Sequence, residues 1–390
     1  MKLLVIGLGR CGGKIADEFA KLDKKARARR GLGIVTDALA VDTCPADLES
    51  LRAIKPDPQH RILIESPRTD GEETVRMSEI GAGIINENSG RVLDTIRAAG
   101  RLFETDALLL VGSVIGSTGS GGMPVMAQAL KEGYQDKPVY ALAVLPFQDE
   151  ESAEERIIYN AAISLKSLYS AADAVFVADN QRYVSRDNSL RDKLNKIDQL
   201  IAEPFYDLLC AGEEGKAGHT GASMADFGNI RETLNGWTAI GCGQSPLPSL
   251  GLFGRWRSFR DRAVQRQAGI PAVEAAISRL SVDCQPPDAA RALYLLVAPA
   301  AEMRPELFQE LGGFLKGVAP GATIRGCDYP RGRREMGVTV LLSGLTSIER
   351  IKGYYDMVGG LVRRVNKRRE EAIKKAREME AAAKKIPSLL

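Results

Sequence analysis

Six short apolar runs in the first half of the chain, Leu3 to Ile6, Ala38 to Val41, Arg61 to Ile64, Ala107 to Val111, Val139 to Leu145 and Ala174 to Ala178, alternate with stretches of helical pattern. A run that is apolar at successive positions is buried on both faces, and strands separated by helices pair in parallel. This half is therefore expected to be a parallel α/β sheet. In open sheets of this kind ligands sit beyond the carboxyl ends of the strands. The turns that fall there are Gly7 to Gly13, Asp42 to Cys44, Gly112 to Gly122, Pro146 to Arg156 and Asp179 to Gln181.

Two of these turns are rich in glycine. "GLGRCGG" satisfies GxGxxG through Gly7, Gly9 and Gly12, a weak signal alone, and the acidic residue that a dinucleotide fold wants after its second strand, Asp37 or Asp42, comes late. The second turn is more specific. Seven consecutive glycines, serines and threonines, Gly116 to Gly122, precede an amphipathic stretch. Backbone N–H groups, small hydroxyls and the positive end of a helix dipole together suit a di- or triphosphate. No GK[ST] ending is present, so the loop is not a Walker A motif; the bland alternative is a flexible turn.

The remaining composition narrows the classes. A net charge of +3 over 390 residues gives no argument for nucleic acid or membrane partners. The six cysteines contain no CxxC pair and there are two histidines, His60 and His219, which argues against a structural zinc site. No run reaches the length of a membrane span, and "MKLLVIGLG" reads as a strand rather than a signal peptide, so a cytoplasmic location with free thiols is expected.

Beyond residue 186 the pattern changes. Asp192 to Leu209 reads as an amphipathic helix broken or kinked at Pro204, and the glycine-rich Ala211 to Ala222 as a connection to a second unit. That unit offers strands at Leu293 to Val297, Ala322 to Gly326 and Val338 to Leu342 and helices at Ala272 to Leu280 and Pro305 to Lys316, an α+β arrangement. The segment "LFGRWRSFRDR", Leu252 to Arg262, interleaves arginines with aromatics but suits a subunit contact or solvated helix better than nucleic acid. The final charged segment reads as a surface helix, with a partner-binding tail as the alternative.

The chain resembles the tubulin and FtsZ superfamily, most closely its archaeal CetZ branch. The family signature GGGTG[ST]G falls on Ile115, Gly116, Ser117, Thr118, Gly119, Ser120 and Gly121, with Ile115 and Ser117 standing where glycines are usual. The resemblance implies an α/β, tubulin/FtsZ-like fold: a Rossmann-like GTP-binding domain over 1–185, a central helix over 186–215, a smaller C-terminal α+β domain over 216–365 and a charged tail over 366–390. It also implies GTP/GDP with Mg2+ as cofactors, the metal held by phosphate and water rather than by a protein cage. By the same resemblance Gly9, Arg10, Cys11, Gly12, Gly13 and Lys14 belong to a first phosphate loop and Asp42 to a second nucleotide loop. The stretch "GAGIINEN", with Gly81, Ala82, Gly83 and Asn86, is similar to the glycine-rich loop that senses a γ-phosphate. Glu150 and Arg156 resemble the ribose-contacting pair, with Glu151 and Glu154 as rivals in a lengthened loop. Asn180, helped by Asp179, resembles the guanine reader, an amide being able to donate and accept at once; it could instead simply open a helix. Asn160 is a further contact or a plain helical residue.

In this family a neighbouring subunit supplies carboxylates to the nucleotide, and the matching stretch here is "ASMADFGNIRETLN". Asp226 retains the first acid, unless it only caps a helix, but Asn229 stands at the second; an amide orients water without polarising it as a carboxylate does. Glu232, one turn beyond, is a substitute. The expectation is a head-to-tail homopolymer with slow, assembly-dependent GTP hydrolysis, serving cell shape or division. Two alternatives stand beside it: a filament subunit that scarcely hydrolyses, assembling alone or with an active paralogue, and an NAD-dependent oxidoreductase built on the first glycine turn.

Overall fold

The structure is a computed structural model that describes residues 1–64, 78–98, 101–187, 189, 193–214, 227–247, 259–331 and 335–360. Its first half alternates β1 (Leu3–Leu8), α1 (Gly9–Arg30), β2 (Val35–Asp42), α2 (Pro45–Glu49), β3 (Arg61–Leu63), α3 (Ser78–Ala98), β4 (Ala107–Ser113), α4 (Ser117–Gly133), β5 (Val139–Leu145), α5 (Gln148–Ala153), α6 (Glu155–Ala171) and β6 (Ala174–Asp179). There follow α7 (Asn180–Arg186), the central helix α8 (Leu194–Glu214), α9 (Phe227–Thr233), β7 (Gly236–Pro246), α10 (Phe259–Ser278), β8 (Arg291–Ala298), α11 (Pro305–Val318), β9 (Thr323–Pro330) and β10 (Glu335–Leu345). A last helix, α12, is described over 349–360.

All ten strands form one sheet in the order β3-β2-β1-β4-β5-β6-β7-β10-β8-β9. The first six run parallel in the 3-2-1-4-5-6 order of dinucleotide-binding folds. The two units read from the sequence are thus bridged by β7, which pairs parallel with β6 from Ala174↔Gly236 to Phe176↔Thr238 and antiparallel with β10.

Alternation along the strands sends residues to two apolar layers. Leu4, Ile6, Leu8, Leu108 and Leu110 face α3, α4 and α6, while Leu3, Val5, Leu109 and Val111 face α1 and α8. Phe205 of α8 anchors the second layer edge-on against Phe176 at 4.5 Å and Phe19 at 5.8 Å. Of the two expectations at Pro204, a break is excluded, since α8 runs on through it. A proline inside a helix costs about 3 kcal/mol, and the burial of Phe205, Tyr206, Leu208 and Leu209 immediately after it offsets that cost.

The central helix also sets direction. Near its start Asp198 interacts with Cys11, at the carboxyl edge of β1; near its end Glu213 pairs with the amino terminus of Met1, at 2.8 Å, on the amino edge. It therefore crosses the whole sheet, about 30 Å for 21 residues at 1.5 Å each. Among the described residues no helix is long and apolar enough to cross a membrane.

Candidate functional site

The strands β2, β1, β4, β5 and β6 are neighbours, and the turns predicted to bind a ligand all leave from their carboxyl ends. Both glycine-rich stretches turn out to be helix beginnings rather than loops. Gly9 opens α1 with φ of +70°, a conformation glycine adopts without strain, and a Cβ placed on it would stand 3.4 Å from the Gly119 nitrogen and 3.5 Å from Thr118 Cβ. Gly12 lets α1 lie on β4: a Cβ there would meet the Val111 carbonyl oxygen at 2.1 Å. The amino ends of α1 and α4 thus converge with Gly9 between them.

Neither end has a side-chain cap or an acidic residue in its first turn. The leading N–H groups of a helix have no intrahelical acceptor, and the helix dipole adds partial positive charge there. Two such ends side by side make a cradle for an anion, with Thr118 and Ser120 hydroxyls in the same turn. The small residues have packing roles too: Ser120 Oγ shares a 2.5 Å hydrogen bond with Ser78 Oγ, and its amide donates to the Gly116 carbonyl at 3.1 Å.

Around this cradle the other predicted residues take distinct places. Asp42, 5% exposed, ends β2 and accepts the Thr43 and Cys44 amides at 2.7 and 3.3 Å; burial pushes its carboxyl up to about 6. Arg10 is exposed and 3.5 Å from Asp47, and Lys14 donates to the Ser50 carbonyl at 3.3 Å. Gly13 is buried against Ala40 and Leu51. Glu150 accepts the Phe147 amide at 2.9 Å and so closes the first turn of α5, while Arg156 is exposed on α6. Asn160 is fully buried and donates from Nδ2 to the Ile115 carbonyl at 3.3 Å, tying α6 to the turn before α4. Asp179 caps α7 by accepting the Gln181 amide at 2.9 Å, which leaves Asn180, half-buried, as the first residue of that helix.

The stretch Gly81 to Asn88, expected as a loop, lies inside α3. Its glycines allow two helices to touch: a Cβ on Gly81 would be 2.0 Å from the Ser117 carbonyl oxygen, and one on Gly121 would be 1.8 Å from that of Ser78. Gly81 thereby buttresses the start of α4, with Ala82 and Gly83 half-buried beside it. Asn86 is exposed and lines a groove with Pro124 and Gln128, farther along α4 than the cradle.

One acidic group at this edge, Asp198, carried no motif signal. Asp198, on α8, has its carboxyl pushed up to about 7 by burial and then by Glu18, with Lys14 opposing. Burial, with Asp198 and Glu150 nearby, also raises the Cys11 thiol, so Cys11 is a packed thiol rather than a nucleophile.

The predicted catalytic stretch lies elsewhere. Asp226 falls outside the described residues. Asn229, half-buried, sits on α9, which leads directly into Gly236 at the amino end of β7 beside Ala174. The glycine cradle is at the opposite end of the strands, about 20 Å away for six residues at 3.3 Å each. Glu232 is engaged by Arg325 in an ion pair. Among the described residues no cluster of His, Cys, Asp or Glu is arranged to hold a metal ion.

This architecture is that of the tubulin/FtsZ GTPase class: the model of the Tubulin/FtsZ family, GTPase domain, matches residues 2–186, and that of the tubulin-like CetZ C-terminal domain matches 187–358. The tubulin-like protein CetZ3 of Haloferax volcanii is 32% identical over 364 residues, with 90% of each chain covered, and this chain belongs to the CetZ family. Among solved structures, CetZ1 of Haloferax volcanii as a GDP-bound monomer superposes with a TM-score of 0.77 at 29% identity, covering 92% of this chain and 98% of the other. CetZ2 of the same organism, solved as a GTPγS-bound protofilament, gives 0.76 at 27% identity, covering 97% and 100%. The family resemblance drawn from the glycine signature is thus correct, and the oxidoreductase alternative has no support from these relatives.

Proposed function

We propose that this protein is a GTP-binding cytoskeletal subunit that assembles head to tail and hydrolyses GTP slowly within the filament. The observation that carries this reading is the separation of the glycine cradle from α9 across the full length of the sheet. A single chain cannot bring Asn229 to an anion on Gly9 and Gly119, but a second copy stacked along the strand direction can. Such a heterologous contact, without a closing rotation, continues into an open filament.

Within that reading the di- or triphosphate lies on the uncapped ends of α1 and α4, where Gly9 to Gly13 and Gly116 to Gly121 leave room for backbone N–H groups to approach. A Cβ on Gly9 would occupy the space beside the Gly119 nitrogen, at 3.4 Å, and its absence leaves that space to a phosphate chain. Asp42 flanks the cradle, Glu150 and Arg156 serve the ribose, and Asp179 and Asn180 hold and read the base, while the buried Asn160 acts from behind by tying α6 to the turn before α4. Mg2+ would neutralise charge between the terminal phosphates. Residues 1–185 then form the nucleotide domain, 186–215 the connecting helix and 216–365 the part that completes the neighbour's site. The two Haloferax relatives solved with GDP and GTPγS support the nucleotide, and the protofilament supports the assembly.

Asp226 would orient the attacking water, with Asn229 beside it offering an amide in place of a carboxylate. Loss of a general base typically lowers rate by on the order of 10²-fold to 10⁴-fold, and the engagement of Glu232 by Arg325 removes the nearest substitute. A subunit that binds nucleotide and assembles with little turnover is therefore the second reading. The cellular role we assign is shape or division in the cytoplasm.

Phosphate release from GTP, measured against protein concentration with sedimentation in parallel, tests both. A rate per subunit that climbs with concentration, together with pelleting, supports assembly-coupled hydrolysis. Pelleting with negligible release selects the second reading, and neither signal rejects both.

A further inference from the structure

Helix α12 comes from the far end of the described chain, yet it closes over the edge where the base would be read. Its start is fixed by Asp288, which accepts the Thr346 and Ser347 amides at 2.8 and 2.6 Å, and Ile348, Ile351 and Tyr354 are buried. This places Arg350, 13% exposed, between two of the candidate nucleotide turns. The guanidinium donates to the Pro146 carbonyl at 2.6 Å and forms ion pairs with Glu151, on the short helix α5 that follows β5, and with Asp179, which ends β6. One helical turn on, Tyr354 Oη donates to the same Glu151 carboxylate at 2.5 Å.

The two pairs differ in what they leave open. Asp179 uses Oδ1 for both Arg350 and the Gln181 amide, so its Oδ2 has no partner among the described residues. A buried carboxylate with one oxygen held by a guanidinium and the other open is an acceptor for a paired-donor edge, such as the N1–H and amino group of guanine. Adenine offers no such pair. Arg350 ties the two stretches through Pro146, Glu151 and Asp179, beside the longer 3.4 Å hydrogen bond from the Gln148 amide to Gln181 Oε1, and a lysine ammonium could not bridge them with the same planar fork.

We infer that Arg350 is a positioning residue for base selection, holding Asp179, and with it Asn180, in a fixed relation to helix α5, which carries Glu150 and Glu151. The C-terminal helix thereby couples to the nucleotide edge. This rests on the nucleotide reading above and deepens it.

The test compares Arg350→Gln, Arg350→Lys and Tyr354→Phe with the unaltered chain in equilibrium binding of GTP, ATP and inorganic tripolyphosphate. A lost hydrogen bond to a charged group is worth about tenfold or more in affinity. The expected result is a GTP-over-ATP preference about tenfold lower in both Arg350 variants, a smaller loss in Tyr354→Phe, and tripolyphosphate binding unchanged in all three. If an Arg350 variant does not fold, Tyr354→Phe decides, since it removes one bond and no charge. An unaltered preference in folded variants overturns the role of Arg350 alone. Absence of guanine preference in the unaltered chain overturns the base-reading assignment and this inference with it, while tripolyphosphate binding still reports on the cradle.

Discussion

Gly81 of α3 lies directly on the Ser117 carbonyl of α4, so close that a Cβ on Gly81 would stand 2.0 Å from that oxygen. The contact fixes the height of the first turn of α4, the turn that carries the candidate anion cradle. A methyl group at this point meets backbone rather than a flexible side chain, so relief requires the two helices to part.

Gly81→Ala is accordingly expected to destabilise the protein by about 2 kcal/mol, in the 1–3 kcal/mol range of overpacked cores. Gly83→Ala is the control: a Cβ there meets nothing within 4 Å, and replacing a helical glycine by alanine gains about 0.5–1 kcal/mol. Urea midpoints of the two variants should move in opposite directions. Equal shifts would show that α3 and α4 are not held in contact here.

Much of the sheet could be read directly because its strands are buried on both faces, as in Val139 to Leu145, where the apolar run and the strand coincide. Two of the failures share a physical cause, which is glycine used for contact between elements. β7 escaped notice because Gly241 and Gly243 interrupt its apolar run, yet those glycines admit α10: Cβ atoms on them would each stand 2.1 Å from a carbonyl oxygen, of Ala276 and Ala272. The same reasoning explains why Gly81 to Asn88 looked like a loop and is a helix. Arg350 was invisible for another reason, since its partner Asp179 is 171 residues away and only the folded sheet brings them together.

Gly9 separates backbone strain from site chemistry. An L-residue at φ of +70° costs roughly 1–2 kcal/mol, and Asn tolerates this conformation better than Ala. Gly9→Asn should therefore lose less stability than Gly9→Ala. Both place a Cβ 3.4 Å from the Gly119 nitrogen, where the proposed phosphates approach, so both should weaken GTP binding by at least tenfold in titration calorimetry. Binding that follows the stability order rather than falling in both variants would remove the phosphates from this spot.

The Asp42 carboxyl gives a pH signature. Its folded-state value of about 6 lies above the ordinary 3.8, so the folded chain holds a proton that the unfolded chain has released between those values. Its contribution is fully present below about pH 4 and is lost as pH rises through 6, a difference of about 3 kcal/mol at 1.36 kcal/mol per pH step. Asp42→Asn keeps an oxygen to accept the Thr43 and Cys44 amides and carries no charge. The variant should be more stable than the parent at pH 8, on the order of 2–3 kcal/mol, with the gap closing toward pH 4. A gap independent of pH in chemical denaturation would show that Asp42 is not the titrating group.

Asn229 offers the sharpest test of catalysis. It lies on α9 at the amino edge of the sheet, half-buried, and Asn229→Asp changes its charge with almost no change in volume. If α9 of one subunit completes the site of the next, the added carboxylate can polarise water that the amide only orients. Phosphate release in assembled protein should then rise by about tenfold or more, toward the 10²-fold to 10⁴-fold that a general base contributes. The gain should vanish at concentrations too low for pelleting, because the acceptor site belongs to another copy. A rise that persists in the unassembled protein would mean that the residue acts within its own chain, which the length of the sheet between Asn229 and Gly9 forbids; no rise in either state would leave Asp226 as the sole candidate for water activation.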